Sequence, residues 1–419
     1  MTILGRATKE GTERYRERHK NHCDPTFFHE AGELIASSIG IGTLIGEPDE
    51  HNKGLLTKAI VESVRRGVNL IDSSISYGCQ QSERSVGEGI RSLLELKEVS
   101  RDELIICTKG GILPHPEKNR ANWFYQNYVE PSKFSINMKD LVGTRYCIHP
   151  EYLQDQIDRS LKNLGLQTID IYYIHNPERQ LLKITPDIFY DKLRAAFEIM
   201  EKAVLSGQVA AYGLATWEGF RVPVTSREHL DLARIKSIAR EVAGNKEDRF
   251  RFIQLPLNMT MLEALLSPTQ KIEGQSIPVL EAAYRLGIIP VASKSICQAQ
   301  IAGQIPENIS CAFDDNLWTD CQRGLQYTRS APALATALVG MKTIEHIEEN
   351  LALMNISSLE RKNFQEITDS IVQVLERMQM GATRKSRSLK FGTMQRLFQS
   401  AITTKISKFV ENLAMQLRI

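Results

Sequence analysis

Four times in this chain a helix-period segment closes on a glycine and an apolar run follows within a few residues. AIVESVRRG precedes VNLID, LKNLG precedes LQTIDIYYIH, EKAVLSG precedes QVAAYGLA, and EAAYRLG precedes IIPVAS. Glycine accepts the left-handed conformation that ends a helix without Cβ strain. The apolar runs are short and lean on Ile, Val and Tyr, as strands buried on both faces do. Eight such strands are expected, at 38–43, 69–72, 104–109, 169–175, 210–215, 251–256, 287–293 and 336–340. Helical patterns such as HPEYLQDQIDRSLKNL and YDKLRAAFEIMEKAVL separate most of them. Eight strands alternating with helices predict an α/β fold, a (β/α)8 TIM barrel in one domain; a doubly wound open sheet is the alternative topology.

The barrel is expected over residues 27–380. Residues 1–26 read as a polar, mobile leader, too charged for a signal-peptide core. Residues 381–419 read as a basic extension with eight Lys or Arg and one acid, Glu411. From Met394 onward its apolar residues fall at helical spacing on one face. Such a basic amphipathic helix can lie on an anionic membrane, dock a partner protein or pack on the barrel itself. A formal net charge of +2 makes no case for nucleic acid as a partner. The seven cysteines are odd in number and form no CxxC pair, which argues against a disulfide framework or a metal site and for reduced thiols in the cytoplasm. No apolar stretch approaches the length of a membrane-crossing helix.

Three strand ends carry chemistry. Asp72 ends the second strand, Lys109 the third and His175 the fourth. Parallel neighbours end on the same rim, so a carboxylate, an ammonium and an imidazole converge there, and Tyr77 in the loop after strand two can reach over the same mouth. A phenol titrates at about 10. A nearby ammonium favours the phenolate and is expected to draw that value toward neutrality, with Asp72 holding Lys109 in place. A phenol so tuned can act as general acid toward a carbonyl oxygen, with His175 orienting the substrate. The long connection at 110–149, with Trp123 among its aromatics, leaves the same face and is expected to shape a substrate pocket.

GIGT at 40–43, NLIDSSISYG with SER just after it, ICTKGG, SLKNLGLQTIDIYYIHNPE, FIQLPLNM and LVGMKTIEHIEENL together resemble the aldo-keto reductase family over roughly residues 27–355. The resemblance implies a (β/α)8 barrel whose Asp–Tyr–Lys–His tetrad is Asp72, Tyr77, Lys109 and His175. It implies NADP(H), with NAD(H) as the alternative, bound without a Rossmann fold, and reduction of an aldehyde or ketone or the reverse oxidation. Cofactor contacts would fall to Gly42, Thr43, Asp72, Thr216, Gln254, Ser293, Gly340, Lys342, His346, Glu349 and Asn350, with Lys342 facing the 2′-phosphate. Tyr77, His175 and Trp123 would meet a small carbonyl or alcohol substrate. Ala215-Thr216 replaces the family's usual Ser-Asn, and Ser293 stands where many members place an aromatic. A different reading keeps the barrel and cofactor as a regulatory scaffold or redox sensor whose basic C-terminal helix docks a partner or membrane. GIGTLIG misses the Rossmann pattern by one residue and is followed by a polar loop instead of a helix.

Overall fold

The computed structural model describes residues 2–44 and 49–385, with side chains up to 377. Eight parallel strands close into a barrel: β1 Ile39–Gly42, β2 Leu70–Asp72, β3 Ile105–Gly110, β4 Ile169–His175, β5 Val209–Ala215, β6 Phe250–Pro256, β7 Ile289–Ser293 and β8 Thr336–Gly340. β8 pairs with β1, so the barrel leaves no open edge. Each strand lies within two residues of its expected position, because the continuous apolar runs suit only doubly covered strands.

The side-chain alternation of the strands sorts their residues into two sets. Leu70, Ile105, Cys107, Ile171, Tyr173, Phe252, Val291 and Leu338 meet in one buried cluster. Ile71, Ile106, Tyr172, Ile174, Leu214, Ile253 and Val339 pack in the other, with the surrounding helices. Asp72, Lys109, His175 and Gln254 lie two or four residues along from members of the first set. With a period of two, all four therefore point toward the barrel axis at its C-terminal mouth.

The N-terminal segment is polar, as expected, but it is not a mobile leader. Helix Lys9–His19 docks on the barrel: Tyr15 is fully buried and donates to the carbonyls of Val64 at 2.5 Å and Val68 at 3.2 Å. Arg14 and Arg18 both reach Glu103, at 2.9 and 2.6 Å. A hairpin, Phe28–Ala31 with Leu34–Ser37, follows, and its Ala31 and Ala36 join the inner barrel cluster. A second small hairpin pairs Gln270–Ile272 with Gln275–Ile277. Neither hairpin is among the expected elements.

The 110–149 connection builds its own small core from Leu113, Phe124, Tyr128, Ile136, Leu141 and Cys147 against Tyr152. Trp123 stacks on His115 and meets Tyr128 edge-on, so the aromatics of this loop first serve one another. Helix Arg361–Lys385, the last element among the described residues, buries Phe364, Ile367 and Ile371 against the barrel. The amphipathic stretch expected from Met394 lies outside the described residues. No helix among the described residues is long and apolar enough to cross a membrane.

Candidate active site

Asp72 and Lys109 form a buried ion pair at 2.5 Å, with Lys109 wholly inaccessible. The Lys109 ammonium also donates to the Ser73 carbonyl at 2.7 Å. Gln254 Nε2 donates to the second oxygen of Asp72 at 2.8 Å, across from β6. Asp72 thus meets an ammonium on one side and an amide on the other.

Tyr77 lies in the turn after β2, where its N–H donates to the Ser74 carbonyl at 3.0 Å. Gly78, Cys79 and Gln80 then run at φ 52°, 50° and 78°, three left-handed residues in succession. The two that are not glycine cost roughly 1–3 kcal/mol each, so the surrounding contacts must enforce the turn. The next helix, Gln81–Glu95, supplies those contacts. Ser82 donates to the Thr43 carbonyl, while buried Glu83 accepts from Thr108 at 2.7 Å and Asn163 at 2.8 Å. The SER triplet was part of the family pattern, yet sequence alone did not reveal this anchoring role. The turn sets the Tyr77 ring with the Lys109 ammonium 5.0 Å from its centroid and the His175 ring at 6.1 Å, edge-on. Gly111, at φ 114°, passes so close to His175 that a Cβ would lie 3.3 Å from its backbone.

Burial dominates the electrostatics. It pulls Lys109 down, but Asp72 and Tyr77 outweigh it and hold the ammonium above its ordinary value. Burial pushes Asp72 up against Lys109 and Gln254. These directions oppose each other; the 2.5 Å contact and the raised Lys109 make the ion pair the resting state. Burial also raises Tyr77, and Lys109 offsets only part of that. The expectation of a phenol drawn toward neutrality is therefore corrected: desolvation exceeds the ammonium's pull, and Tyr77 rests as a protonated phenol. Burial, Lys109 and Arg145 push His175 well down, which keeps its imidazole neutral.

The other expected residues have different commitments. Thr43 spends its N–H and hydroxyl on the Asp72 carbonyl, both at 3.0 Å. Gly42 and Gly340 are direct neighbours across β1 and β8. Thr216 follows β5, and its hydroxyl is buried without a partner among the described residues. Ser293 ends β7. Beyond Gly340 come half-buried Lys342 and exposed His346, at the start of helix Ile344–Leu351. Asn350 is buried, and Glu349 accepts from Thr319 at 2.7 Å. The contacts of Trp123 are within its own loop and not with the tetrad. A cavity of about 1320 Å³ opens at the opposite end of the barrel, between the hairpin tip, Arg249, Phe252 and Ile289. It contains none of the four tetrad residues, so volume alone does not locate the chemistry.

A closed parallel barrel with a buried Lys–Asp pair, a phenol and a neutral imidazole converging at its C-terminal mouth is built as barrel enzymes are. The chain belongs to the aldo/keto reductase family, whose family model matches residues 38–293. It is 28% identical over 237 residues to the D-threo-aldose 1-dehydrogenase of a Pseudomonas species, covering 54% of this chain and 63% of that protein, under two thirds of its length. It is 21% identical over 328 residues to an uncharacterized oxidoreductase of Bacillus subtilis, covering 78% of this chain and 90% of that one. The fold is similar to an aldo/keto reductase from Klebsiella pneumoniae solved with NADP and acetate, at a TM-score of 0.52 and 16% identity over 83% of this chain and 95% of that chain.

Proposed function

We propose that this chain is an NADP(H)-dependent oxidoreductase that reduces an aldehyde or ketone to an alcohol, or catalyses the reverse. The observation that carries the reading is the convergence of Tyr77, Lys109, Asp72 and His175 at one barrel mouth. Three features suit an extended dinucleotide beside them. The Gly42–Gly340 pair leaves a gap without side chains, where a Cβ would meet only backbone at 3.6 Å or beyond. Thr216 offers a buried hydroxyl that is unpartnered among the described residues. Gln254 keeps its carbonyl oxygen without a hydrogen bond among the described residues, because only its N–H is spent on Asp72. Thr216 and Gln254 would hold the carboxamide, with Ser293 and Thr43 alongside. Lys342, with no ion pair among the described residues, and exposed His346 would favour the 2′-phosphate of NADP(H); Glu349 and Asn350 would sit by the adenine.

When bound, the nicotinamide supplies the hydride in reduction and accepts it in oxidation. Tyr77 gives its phenolic proton to the carbonyl oxygen as that oxygen gains charge. The Lys109 ammonium stabilises the phenolate left behind, and Asp72 fixes that ammonium. Neutral His175 hydrogen-bonds the same oxygen without adding charge. A proton from solvent then restores Tyr77. The regulatory alternative would rest on the basic extension beyond residue 385, outside the described residues.

The test is a single turnover of stoichiometric NADPH against a panel of aldehydes and ketones, followed by nicotinamide absorbance. Wild type oxidises NADPH, while Tyr77→Phe binds it equally well and is slower by about 10²–10⁴-fold. Turnover by Tyr77→Phe at the wild-type rate would sink the mechanism.

A further inference from the structure

The tetrad leaves one buried acid nearby unused. Glu178 lies three residues beyond His175, in the turn Pro177–Leu182, and is fully buried. Its Oε1 accepts the backbone N–H of Trp217 at 2.8 Å and of Glu218 at 3.1 Å. Its Oε2 is buried and has no hydrogen-bond partner among the described residues. Gly219 closes against it, since a Cβ there would come within 3.3 Å of the Glu178 Cβ. One carboxyl group therefore joins the turn after β4 to the loop after β5. The turn follows His175. The loop opens with Thr216 and continues with Trp217, which is 36% exposed and has the Lys294 ammonium 4.9 Å from its ring centroid.

Resting on the cofactor reading above, we propose that Glu178 is a positioning residue. As a carboxylate it holds the 216–218 backbone where Thr216 and Trp217 meet the cofactor, and on protonation it loosens that hold, so that cofactor affinity follows pH. Hydrogen bonds to a charged acceptor are roughly twice as strong as neutral ones. The surrounding charges are committed to other partners, and among them Arg179 alone draws the carboxyl down. Arg179, beside it in the turn, is paired with Glu228 at 2.6 Å. From the facing loop, Glu218 lies 3.6 Å from Arg221, which pairs with Glu263 at 2.8 Å. His175 is neutral, and Lys294 is engaged by the Trp217 ring. None of them forms an ion pair with Glu178. Burial pushes the carboxyl up to about 7, against the pull of the backbone N–H donors and of the Arg179 charge. The ionised, bond-accepting form thus prevails above neutrality and is lost below it.

The experiment uses the full chain between about pH 5.5 and 8.5, a window that brackets this titration. The first readout is the share of tryptophan emission that disappears in Trp217→Phe, recorded without cofactor. The second is the NADPH dissociation constant at each pH. Wild type should show a Trp217 transition near neutrality that Glu178→Gln lacks. NADPH should bind about fivefold more weakly on the acid side in wild type than the Glu178→Gln profile accounts for. A wild-type Trp217 signal with no transition, or the same transition in Glu178→Gln, overturns the proposal. Should Glu178→Gln not fold, Glu178→Asp replaces it, and an unchanged midpoint is then the refuting result. An absence of NADPH binding at every pH would overturn the cofactor reading and the affinity effect drawn from it. A Trp217 transition abolished by Glu178→Gln would still uphold the hold on the loop.

Discussion

Replacing Lys109 with Met removes the positive half of a pair that water cannot reach. The Lys109 side chain is fully buried and that of Asp72 is 4% exposed. Methionine fills much of the same space, so the cavity contribution is small. What remains is a carboxylate with only the Gln254 amide to stabilise it. Removing one partner of a buried pair typically costs about 3–5 kcal/mol, a large share of the roughly 5–15 kcal/mol that holds a domain folded. Asp72→Asn combined with Lys109→Met leaves no orphaned charge, so the double variant should cost less than the sum of the two single ones. Urea denaturation of the four proteins at constant slope measures this directly. In Lys109→Met the native carboxyl of Asp72 is raised further by loss of the ammonium. Its native value then lies above the unfolded value of about 3.9, so the native state binds more protons across that window and stability falls as pH rises through it. The deficit of Lys109→Met should therefore widen between about pH 5 and pH 8. A cost under about 1 kcal/mol, or strict additivity of the two single variants, would refute the picture of a desolvated pair.

Two further perturbations separate other parts of the structure. Lys342→Ala should weaken NADPH by about 10–100-fold, the worth of one charge-assisted hydrogen bond, and leave NADH within a few-fold; equal losses in a binding titration would remove Lys342 from the 2′-phosphate. Tyr15→Ala should cost about 3–5 kcal/mol, because it empties a fully buried site and orphans the carbonyls of Val64 and Val68; a urea midpoint equal to wild type would mean the N-terminal helix is not integral to the fold.

The barrel was legible because each of its strands announces itself locally. A short apolar run can be covered on both faces only inside an α/β layer structure, and four glycines mark where helices give way to such runs. The tetrad was legible for a related reason: Asp72, Lys109 and His175 are polar residues at the ends of apolar strands. Helix Lys9–His19 escaped notice because a single buried aromatic, Tyr15, anchors an otherwise charged segment. Nothing in its spacing distinguishes it from a solvated helix. The two hairpins escaped for want of length, at three or four residues a strand. Glu178 reads in sequence as an ordinary loop acid after Asn-Pro.

Sequence by itself determined the order of the elements, the number of barrel strands and the identity of the groups at the mouth. These depend on periodicity and on position within a strand, which are local properties. Tertiary structure alone decided what those groups meet and which protonation state they hold. It decided that Gln254 reaches Asp72 from four strands away, that Tyr77 is held by three left-handed residues anchored through Glu83, and that burial overrides the ammonium in setting the Tyr77 proton. Whether a charge is stabilised depends on how much water is excluded and which dipoles face it. Both are set by residues far apart in the chain, so neither can be read along it.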